Sequence, residues 1–564
     1  MKVDRNKLHG APGQPALLVQ DADLHRWSSE CDVLVLGFGA AGACAALAAA
    51  QGGAQVIVCD RFDRGGASAK SGGVVYAGGG TALQQEAGIE DTPQAMFDYL
   101  RQETGDAVSL PTLRAFCDGS RAMIEWLSGL GVGFGSSMPP VKTSYPADGY
   151  YLYYSGSEAV PEFARQAAPA PRGHRVKGSG MSGAVLFGVL RAAVNRAGVA
   201  VHGQVIGRRL VVDPAGNVLG AELARLRGVA GVLHRQLERF AETVHNLAPG
   251  LADLARAALG HIEDKYARHE QVRARGGVVL ATGGFIFNKR MLAQHAPRYL
   301  RAWRLGTTGC SGSGIALGES VGAASSHMNK VSAWRFINPP YAWARGIVVN
   351  RVGRRICNEE VYGARLGHAM CEQADGRAWL IINAALRKAA ISECRSGKLW
   401  LFQSGPALML MLLGATRGAN AAELAVKLGM PSVQLAQTVD AYNAAARGAA
   451  PDAFGKSQAM LEDLGTETLY AIDISMDSKL FPCPAITLGG LRVDENSGAV
   501  LRADGSVIGG LYAAGRTALG IASNQYVSGL SLADCVWSGR RAGAAAQAIV
   551  STPNNTQNNN RTGD

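Results

Sequence analysis

Apolar runs that end in glycine-rich turns recur along this chain, and the first of them predicts a nucleotide-binding unit. The apolar run 32–36 leads into a turn over 37–42 and then into an alanine-rich stretch. This order predicts a buried strand, a tight turn and a helix. Glycines let the backbone approach a pyrophosphate, whose charge is attracted by the free N–H groups of the helix N-terminus. The turn residues predicted to contact a cofactor are Gly37, Gly39, Ala40, Ala41 and Gly42.

A second apolar run and the polar loop after it extend the predicted site. The run 55–59 ends at Asp60, 18 residues after Gly42, where an acidic residue suits the ribose hydroxyls of a dinucleotide. The loop over 64–73 is small and polar, so we expect it to run beside the cofactor phosphates. The predicted contacts in this part of the chain are Asp60, Arg61, Gly66, Ala67, Ser68, Ser71, Gly72 and Gly73.

Two more glycine-rich segments, at 278–284 and 510–515, indicate which dinucleotide is bound. An NAD site is usually completed within one continuous unit. A site that is closed by a segment more than 450 residues downstream of its first turn favours FAD instead. The predicted contacts in these two segments are Ala281, Thr282, Gly283 and Gly515.

Residues 229–275 interrupt the nucleotide-binding pattern. Their apolar residues recur at spacings of three and four, with a break at Pro249, which predicts two helices inserted before a strand at 278. Three roles are compatible with this amphipathic pattern. The helices could pack on their own domain, form a contact between copies of the chain, or lie on a membrane surface.

The positions of the glycine-rich segments predict an α/β fold with a Rossmann-like FAD-binding domain and an inserted α+β cap domain. Helices are expected over 92–135 and about 183–197, and strands over 199–226. The apolar run from Leu399 to Leu413 is expected to line a cleft between cap and cofactor, or to be a core helix. The predicted divisions are an irregular N-terminal arm at 1–28, an FAD-binding domain at 29–327 and 483–550 with the 229–275 insert, a catalytic cap at 328–482 and a disordered tail at 551–564.

Charge, cysteine spacing and the length of apolar stretches limit the classes of function that the chain can have. The net charge is +11, but lysines and arginines are scattered and do not interleave with aromatic residues, so nucleic-acid binding is not expected. The ten cysteines show no metal-type spacing, which favours reduced, buried thiols in a cytoplasmic protein and no metal site. No apolar stretch is long enough to span a bilayer, so any membrane association would be peripheral.

At this point the chain resembles the flavoprotein family of fumarate reductases and 3-ketosteroid dehydrogenases. The resemblance covers about residues 28–550, apart from the helical insert. It is carried by the three glycine-rich segments, by the cap segment 346–359, by 487–491 and by 531–534. It implies that Leu530, Ser531 and Leu532 face the flavin ring from a helix N-terminus. Arg516 stands where relatives often have glutamate, and is predicted to contact the ribityl chain or a phosphate.

Departures from the fumarate reductase pattern imply a different substrate. Tyr362 stands near the position of the proton-donating arginine of those enzymes, and Tyr526 near an arginine that holds a carboxylate. The histidine expected before 487–490 is replaced by apolar residues. The groups that grip a dicarboxylate are therefore missing, and phenols with a hydroxyl suit a neutral ketone.

Tyr526, Ser528 and Gly529, together with Tyr362, look most like the 3-ketosteroid 4-dehydrogenases. The resemblance implies FAD-dependent desaturation of a saturated 3-oxosteroid between carbons 4 and 5. Tyr526 and Ser528 are expected to carry proton abstraction with Tyr362 assisting, the backbone N–H of Gly529 to hold the ketone oxygen, and flavin N5 to accept the hydride. The five tyrosines within 145–154 line an entrance or form a separate aromatic core.

Three alternatives stay open on the sequence. They are a 3-oxosteroid 1-dehydrogenase, an enoate- or fumarate-type reductase, and a flavin-binding redox partner that docks through residues 229–275. The expected partners are a steroid and an external electron acceptor, for which a quinone is one candidate, because no haem-attachment motif is present.

Overall fold

The computed structural model describes residues 14–551, and a nine-stranded sheet forms its centre. Strand Arg268–Leu280 is the hub of this sheet, because it pairs with three neighbours. In sheet order, the strands are Leu17–Leu18, Val205–Val212, Val218–Arg225, Arg268–Leu280, Ser29–Leu36, Val56–Asp60 and Ala200–Gly203, with Val507–Ala513 and Ala499–Leu501 joined at the hub strand.

The parallel part of the sheet places the nucleotide-binding turns side by side. Strand Ser29–Leu36 lies between Val56–Asp60 and the second half of Arg268–Leu280, all running parallel. Strand Val507–Ala513 pairs in parallel with that same second half. Since parallel strands end at one edge of a sheet, the turns that follow three of these strands meet there.

Helices Ala40–Gln51 and Leu530–Ser551 pack tightly beside this sheet edge. A side chain at Gly539 or Gly543 would overlap the backbone of Ala41 or Ala45, so the two helices approach through small residues. The other α-helices of five or more residues are Gly66–Lys70, Ala82–Glu86, Pro93–Thr104, Leu110–Asp118, Ser120–Gly129, Gly183–Arg196, Gly228–Val244, Pro249–Tyr266, Lys289–His295, Ser313–Glu319, Gly363–Gln373, Ala384–Arg395, Leu401–Met409, Ala421–Leu428 and Ser432–Ala446.

Two predictions of local structure are corrected. The hub strand begins at Arg268, ten residues before the predicted start at 278. Its first half, which pairs antiparallel with Val218–Arg225, is mostly exposed or half-buried and therefore tolerates polar residues. The apolar signal appears only in its buried second half. The expected irregular arm contributes strand Leu17–Leu18, which pairs with Val211 and Val212. The helices predicted over 92–135, at 183–197 and within 229–275, and the strands within 199–226, are confirmed.

Several smaller sheets lie outside the nine-stranded sheet. Within the segment predicted as a cap, four strands form an antiparallel sheet in the order Ile347–Val349, Trp379–Asn383, Leu469–Asp473 and Ala415–Gly418. Three-stranded sheets are formed by Trp303–Arg304, Pro484–Thr487 and Val331–Ala333, and by Val74–Tyr76, Gly173–Arg175 and Leu152–Tyr153. The domain boundaries stay a prediction, and residues 552–564 of the predicted disordered tail lie outside the described residues.

All ten cysteines are free thiols, and nine of them are buried, as the sequence predicted. Within residues 14–551, no helix has the length and apolar character needed to cross a bilayer. No group of residues in that part of the chain has the composition of a metal site. Leu401 and Phe402, at the start of helix Leu401–Met409, are exposed, so the expectation of a core helix is wrong for them, whereas the expectation that this segment lines a cleft stays a prediction.

Candidate active site

The first and second glycine-rich segments meet through their backbones. Gly37 has a φ of +106°, and a side chain there would overlap the carbonyl group of Ala281. A side chain at Gly42 would overlap the carbonyl oxygen of Gly37, so the turn can close only with glycine at position 42. The Ala281 N–H donates to the Leu36 carbonyl at 2.8 Å.

The third segment closes the same edge of the sheet. Ala514 N–H donates to the Leu280 carbonyl at 3.0 Å, and Gly515 lies against Ala41 with a φ of +58°. Thr517 Oγ1 accepts from the Gly283 N–H at 2.9 Å. Thr282 Oγ1 accepts from the Gly314 N–H at the same distance. The three segments predicted from separate parts of the chain therefore form one cluster.

Asp60 is held beside the first turn. One carboxylate oxygen accepts from the Phe38 N–H at 2.7 Å, and the other accepts from the N–H groups of Phe62 and Asp63 at 2.8 and 2.6 Å. These backbone donors fix the carboxylate at the end of its strand, next to the glycine turn. Arg61 points elsewhere, because its guanidinium forms a salt bridge with Glu263 at 2.7 Å.

The polar loop after Asp60 wraps the start of helix Ala40–Gln51. Ser68 Oγ accepts from the Ala40 N–H at 3.0 Å. Ser71 Oγ donates to the Ser68 carbonyl at 2.7 Å and accepts from Gly73 N–H at 3.2 Å, so it closes the loop itself. The carbonyl of Gly72 accepts from Tyr145 at 2.9 Å. Gly66 and Ala67 begin the short helix Gly66–Lys70.

The predicted catalytic residues gather at the start of helix Leu530–Ser551. Gly529 has a φ of +88°, and its carbonyl accepts from the Tyr76 N–H at 3.1 Å. Leu530 and Leu532 are buried on that helix, with Ser531 between them half-buried. Ser528 and Tyr526 immediately precede this turn and are half-buried.

A line of hydroxyl groups connects the cap segment to this turn. Burial raises the pKa of the Tyr362 phenol well above its ordinary value, and the nearby Ser528 hydroxyl acts in the opposite direction. Ser528 Oγ lies 3.2 Å from the phenol oxygen of Tyr153. Burial also raises the Tyr153 pKa, and its contact with Ser528 acts in the opposite direction. Two phenols therefore flank one serine hydroxyl, and both hold their protons at neutral pH.

Tyr526 has a different environment. Its ring packs on Trp334 with centroids 4.7 Å apart, and burial raises its pKa to about 12. The positive charge of Arg516 acts against that increase. Tyr526 is close enough to raise the pKa of Tyr362, so both phenols belong to one site.

Sequence reasoning did not select Tyr153 or Glu158 for this site. Tyr153 was one of five tyrosines in its segment, and its contact with Ser528 spans 375 residues of sequence. Glu158 is buried, and burial raises its pKa. Glu158 also raises the pKa values of both Tyr153 and Tyr362. The signal available in the sequence was an acidic residue within the small-residue run 155–158.

Comparison with known proteins places this geometry in a family. Residues 32–532 match the family model described as "FAD binding domain". The chain belongs to this FAD-binding flavoprotein family. The flavoprotein is 42% identical over 515 residues to a 3-oxo-5-alpha-steroid 4-dehydrogenase of Comamonas testosteroni, a match that covers 89% of this chain and 96% of the relative. This chain and the Comamonas testosteroni relative belong to the same family.

Two further similarities agree with this assignment. A 3-oxosteroid 1-dehydrogenase of Mycobacterium tuberculosis is 28% identical over 562 residues, covering 88% of this chain and 94% of the relative. The crystal structure of a 3-ketosteroid-delta4-(5alpha)-dehydrogenase from Rhodococcus jostii RHA1, in complex with 4-androstene-3,17-dione, superposes with a TM-score of 0.79 at 30% identity. That superposition covers 95% of this chain and 100% of the other.

The residues of the flavoprotein fit FAD. Helix Ala40–Gln51 has no side-chain cap at Gly39 and no acidic residue in its first turn, so its N-terminal N–H groups suit a pyrophosphate. Arg516 Nη1 is buried and lacks a hydrogen-bond partner among the residues of the described chain, while Nη2 lies 3.5 Å from Cys310 Sγ. A buried, unpaired guanidinium nitrogen beside the third glycine segment is explained by an acceptor group supplied by the cofactor.

Proposed function

We propose that this flavoprotein desaturates a saturated 3-oxosteroid between carbons 4 and 5. The observation that carries the proposal is the line formed by Tyr362, Ser528 and Tyr153 at the start of helix Leu530–Ser551. These groups carry no charge at neutral pH, which suits a neutral ketone and not a dicarboxylate. The names of the relatives from Comamonas testosteroni and Rhodococcus jostii RHA1 support carbon 4 over carbon 1.

The reaction requires removal of a proton beside the ketone and of a hydride from the next carbon. Bound FAD supplies the hydride acceptor. The protein must supply a proton acceptor and donors that stabilise the negative charge that develops on the ketone oxygen. We assign the first role to the hydroxyl line and the second to Tyr526 and Gly529.

The hydroxyl line allows a neutral phenol to act as a base. A phenol whose pKa lies well above 10 accepts a proton poorly unless it releases its own proton at the same time. As Tyr362 takes the substrate proton it gives its own to Ser528, and Ser528 gives its own to Tyr153, 3.2 Å away. Tyr153 must in turn release its phenolic proton to water, so that each hydroxyl keeps one proton. We therefore propose Tyr362 as the group nearest the substrate proton, with Ser528 as the relay.

Tyr526 is proposed to polarise the ketone. With a pKa of about 12 it stays protonated at neutral pH and donates a hydrogen bond. The N–H of Gly529 is proposed as a second donor, because a turn with φ of +88° precedes a helix N-terminus, where positive potential is concentrated. This assignment moves Tyr526 from proton abstraction, where the sequence placed it, to carbonyl polarisation.

The cofactor contacts predicted from the sequence are part of this proposal. The three glycine segments, Asp60 and Arg516 are proposed to hold the dinucleotide, with Ser531 near the flavin ring. The substrate would lie between this helix start and the cap at 328–482. Electrons would leave to an external acceptor, for which a quinone is a suitable two-electron carrier.

Anaerobic mixing with saturated 3-oxosteroids of the 5α and 5β series tests the proposal directly. Loss of the oxidised-flavin absorbance together with a 4-ene product, identified by mass spectrometry, is the expected result. A 1-ene product would assign the flavoprotein to the 1-dehydrogenases. An unchanged absorbance with FAD bound and both steroid series present would refute steroid oxidation and favour an enoate reductase.

The assignment of roles has its own test. Exchange of the carbon-4 proton with heavy water reports proton removal independently of hydride transfer. Ser528→Ala and Tyr362→Phe are expected to slow this exchange by about a hundredfold or more, the range for loss of a general base. If Tyr526→Phe slowed the exchange while Tyr362→Phe left it unchanged, the roles of the two phenols would be reversed.

A further inference from the structure

The helical hairpin of the insert, Gly228–Val244 and Pro249–Tyr266, packs on the protein through a face that carries buried glutamates beside small and apolar residues. Glu238 forms a salt bridge with Arg64 at 2.9 Å, and Glu242 pairs with Lys70. In the second helix, Glu263 pairs with Arg61 at 2.7 Å. The side chains of all three glutamates are almost fully buried. The acidic groups of the hairpin therefore point toward the cofactor-binding loop.

The opposite face of the hairpin is apolar and exposed. Val229 is 84% exposed and Leu247 is 90% exposed. Leu233, Phe240 and the second helix's Leu251 and Leu254 are about half exposed. Residues 229, 233 and 240 are separated by four and seven positions, so they lie along one face of the first helix, and Leu247 follows in the turn before the second helix. Single exposed leucines are ordinary, whereas a continuous apolar stripe marks an interaction surface.

Charges beside this stripe are mainly positive. Arg239 is exposed on the first helix, whose glutamates face inward, whereas Arg235 donates to Gln204 Oε1 at 2.8 Å. Lys265 is exposed at the end of the second helix, beside the exposed ring of Tyr266. The acidic group exposed near them, Asp264, forms a salt bridge with Arg208 at 3.2 Å.

We propose that this hairpin surface docks the protein on a bilayer that contains anionic phospholipids. An apolar stripe with cations beside it is the pattern of a helix that lies in the interfacial plane of a membrane. A second copy of the chain fits less well, because a symmetric contact would bring together two positively charged surfaces, each carrying Arg239 and Lys265. This charge pattern therefore favours binding of the hairpin to a negatively charged surface.

Flotation of the FAD-loaded protein with phosphatidylcholine vesicles, with and without phosphatidylglycerol, tests this surface. The wild type is expected to float with the anionic vesicles, and added salt is expected to weaken the binding. Leu233→Gln combined with Phe240→Gln and Leu247→Gln should lower partitioning by at least about tenfold, since three exposed apolar side chains are lost. Arg239→Glu with Lys265→Glu should lower partitioning on anionic vesicles by more than about fivefold per residue.

A matched control lies on the cap, where Val426 and Val433 are also exposed. Val426→Gln with Val433→Gln removes apolar surface of the same kind and should leave flotation unchanged. Flavin absorbance and steroid bleaching without vesicles should be unaltered in all these variants, which shows that they fold.

Three results would overturn the proposal. Wild-type protein that does not float with either vesicle type is the first, and loss of flotation in the cap variant but not in the hairpin variant is the second. The third is self-association in sedimentation velocity that the hairpin substitutions abolish, which would make the stripe an interface between copies.

Discussion

Replacement of Asp534 by asparagine should stabilise the protein, and by more at neutral pH than at acidic pH. Asp534 lies in helix Leu530–Ser551 and is 4% exposed. Within the described chain, its Oδ1 has no hydrogen-bond partner. Burial raises its pKa from 3.8 to about 6, although Arg541 and the backbone of Ile521 act in the opposite direction. The folded protein therefore resists ionisation of this carboxyl group.

The magnitude follows from the two pKa values. The folded state holds the Asp534 proton to a higher pH than the unfolded chain does, so the stability this group contributes is complete below pH 3.8 and is lost as the pH rises through 6. A difference of about two pKa units corresponds to about 3 kcal/mol by pH 7. At pH 4 the same relation gives only about 0.6 kcal/mol. Asparagine has nearly the same shape and stays neutral, so Asp534→Asn avoids this cost.

Urea denaturation of the FAD-saturated wild type and Asp534→Asn at several pH values measures this effect. The gain in unfolding free energy should increase from pH 4 to pH 7 and then level off. Asp440→Asn, at an exposed position of helix Ser432–Ala446, is the matched control and should change little. A gain that does not depend on pH, or a loss that grows with pH, would refute the reasoning.

Three other substitutions test the site. Gly42→Ala should abolish FAD retention, seen as loss of the flavin absorbance after purification, because the new methyl group would overlap the backbone of the first turn. Tyr153→Phe removes the hydroxyl 3.2 Å from Ser528 that receives the relayed proton, so it should slow anaerobic bleaching by about a hundredfold with FAD still bound; an unchanged rate would remove Tyr153 from the relay. Arg516→Met should raise the Tyr526 pKa, so ultraviolet titration of the phenols should show one group ionising at higher pH, whereas Arg516→Lys should keep the wild-type curve.

The cofactor turns were predictable because their signal is local. At positions 37 and 42 a side chain would overlap the backbone, so glycine is required there, and the requirement is visible in a short stretch of sequence. The same holds for Asp60, which lies at the end of its strand. The meeting of the three segments follows from parallel pairing of their strands, which the apolar runs already indicated.

Contacts between distant segments were not predictable. Tyr153 reaches Ser528 only because the short sheet that contains Leu152–Tyr153 packs beside the last helix, and no local pattern separates this tyrosine from its neighbours. The start of the hub strand at Arg268 was missed for a related reason. The first residues of the strand are polar because they are exposed, and they form a strand only by pairing with Val218–Arg225.

The insert shows that a correct periodicity can still mislead about orientation. Leucines at spacings of three and four predict a helix, and such a stripe normally faces the core. Here the buried face carries glutamates beside Ala241, Leu259 and Ile262, and the glutamates form salt bridges with Arg61, Arg64 and Lys70 where the hairpin packs. Charges outside the insert therefore contribute to which face is buried.

The segment 153–158 unites the two halves of the proposed active site. Tyr153 contacts Ser528 of the last helix turn, and the Ser155 carbonyl accepts from the Ser528 N–H at 3.2 Å. Ser157 Oγ accepts from the Tyr362 N–H at 3.0 Å, which fixes the backbone from which that phenol projects. A relay needs its hydroxyls held at hydrogen-bond distance although they come from separate parts of the chain. The segment 153–158 contacts both Ser528 and the backbone of Tyr362, so displacement of the cap would break the relay and the cap contact together. Proton removal should therefore depend on the contact between the cap and this segment.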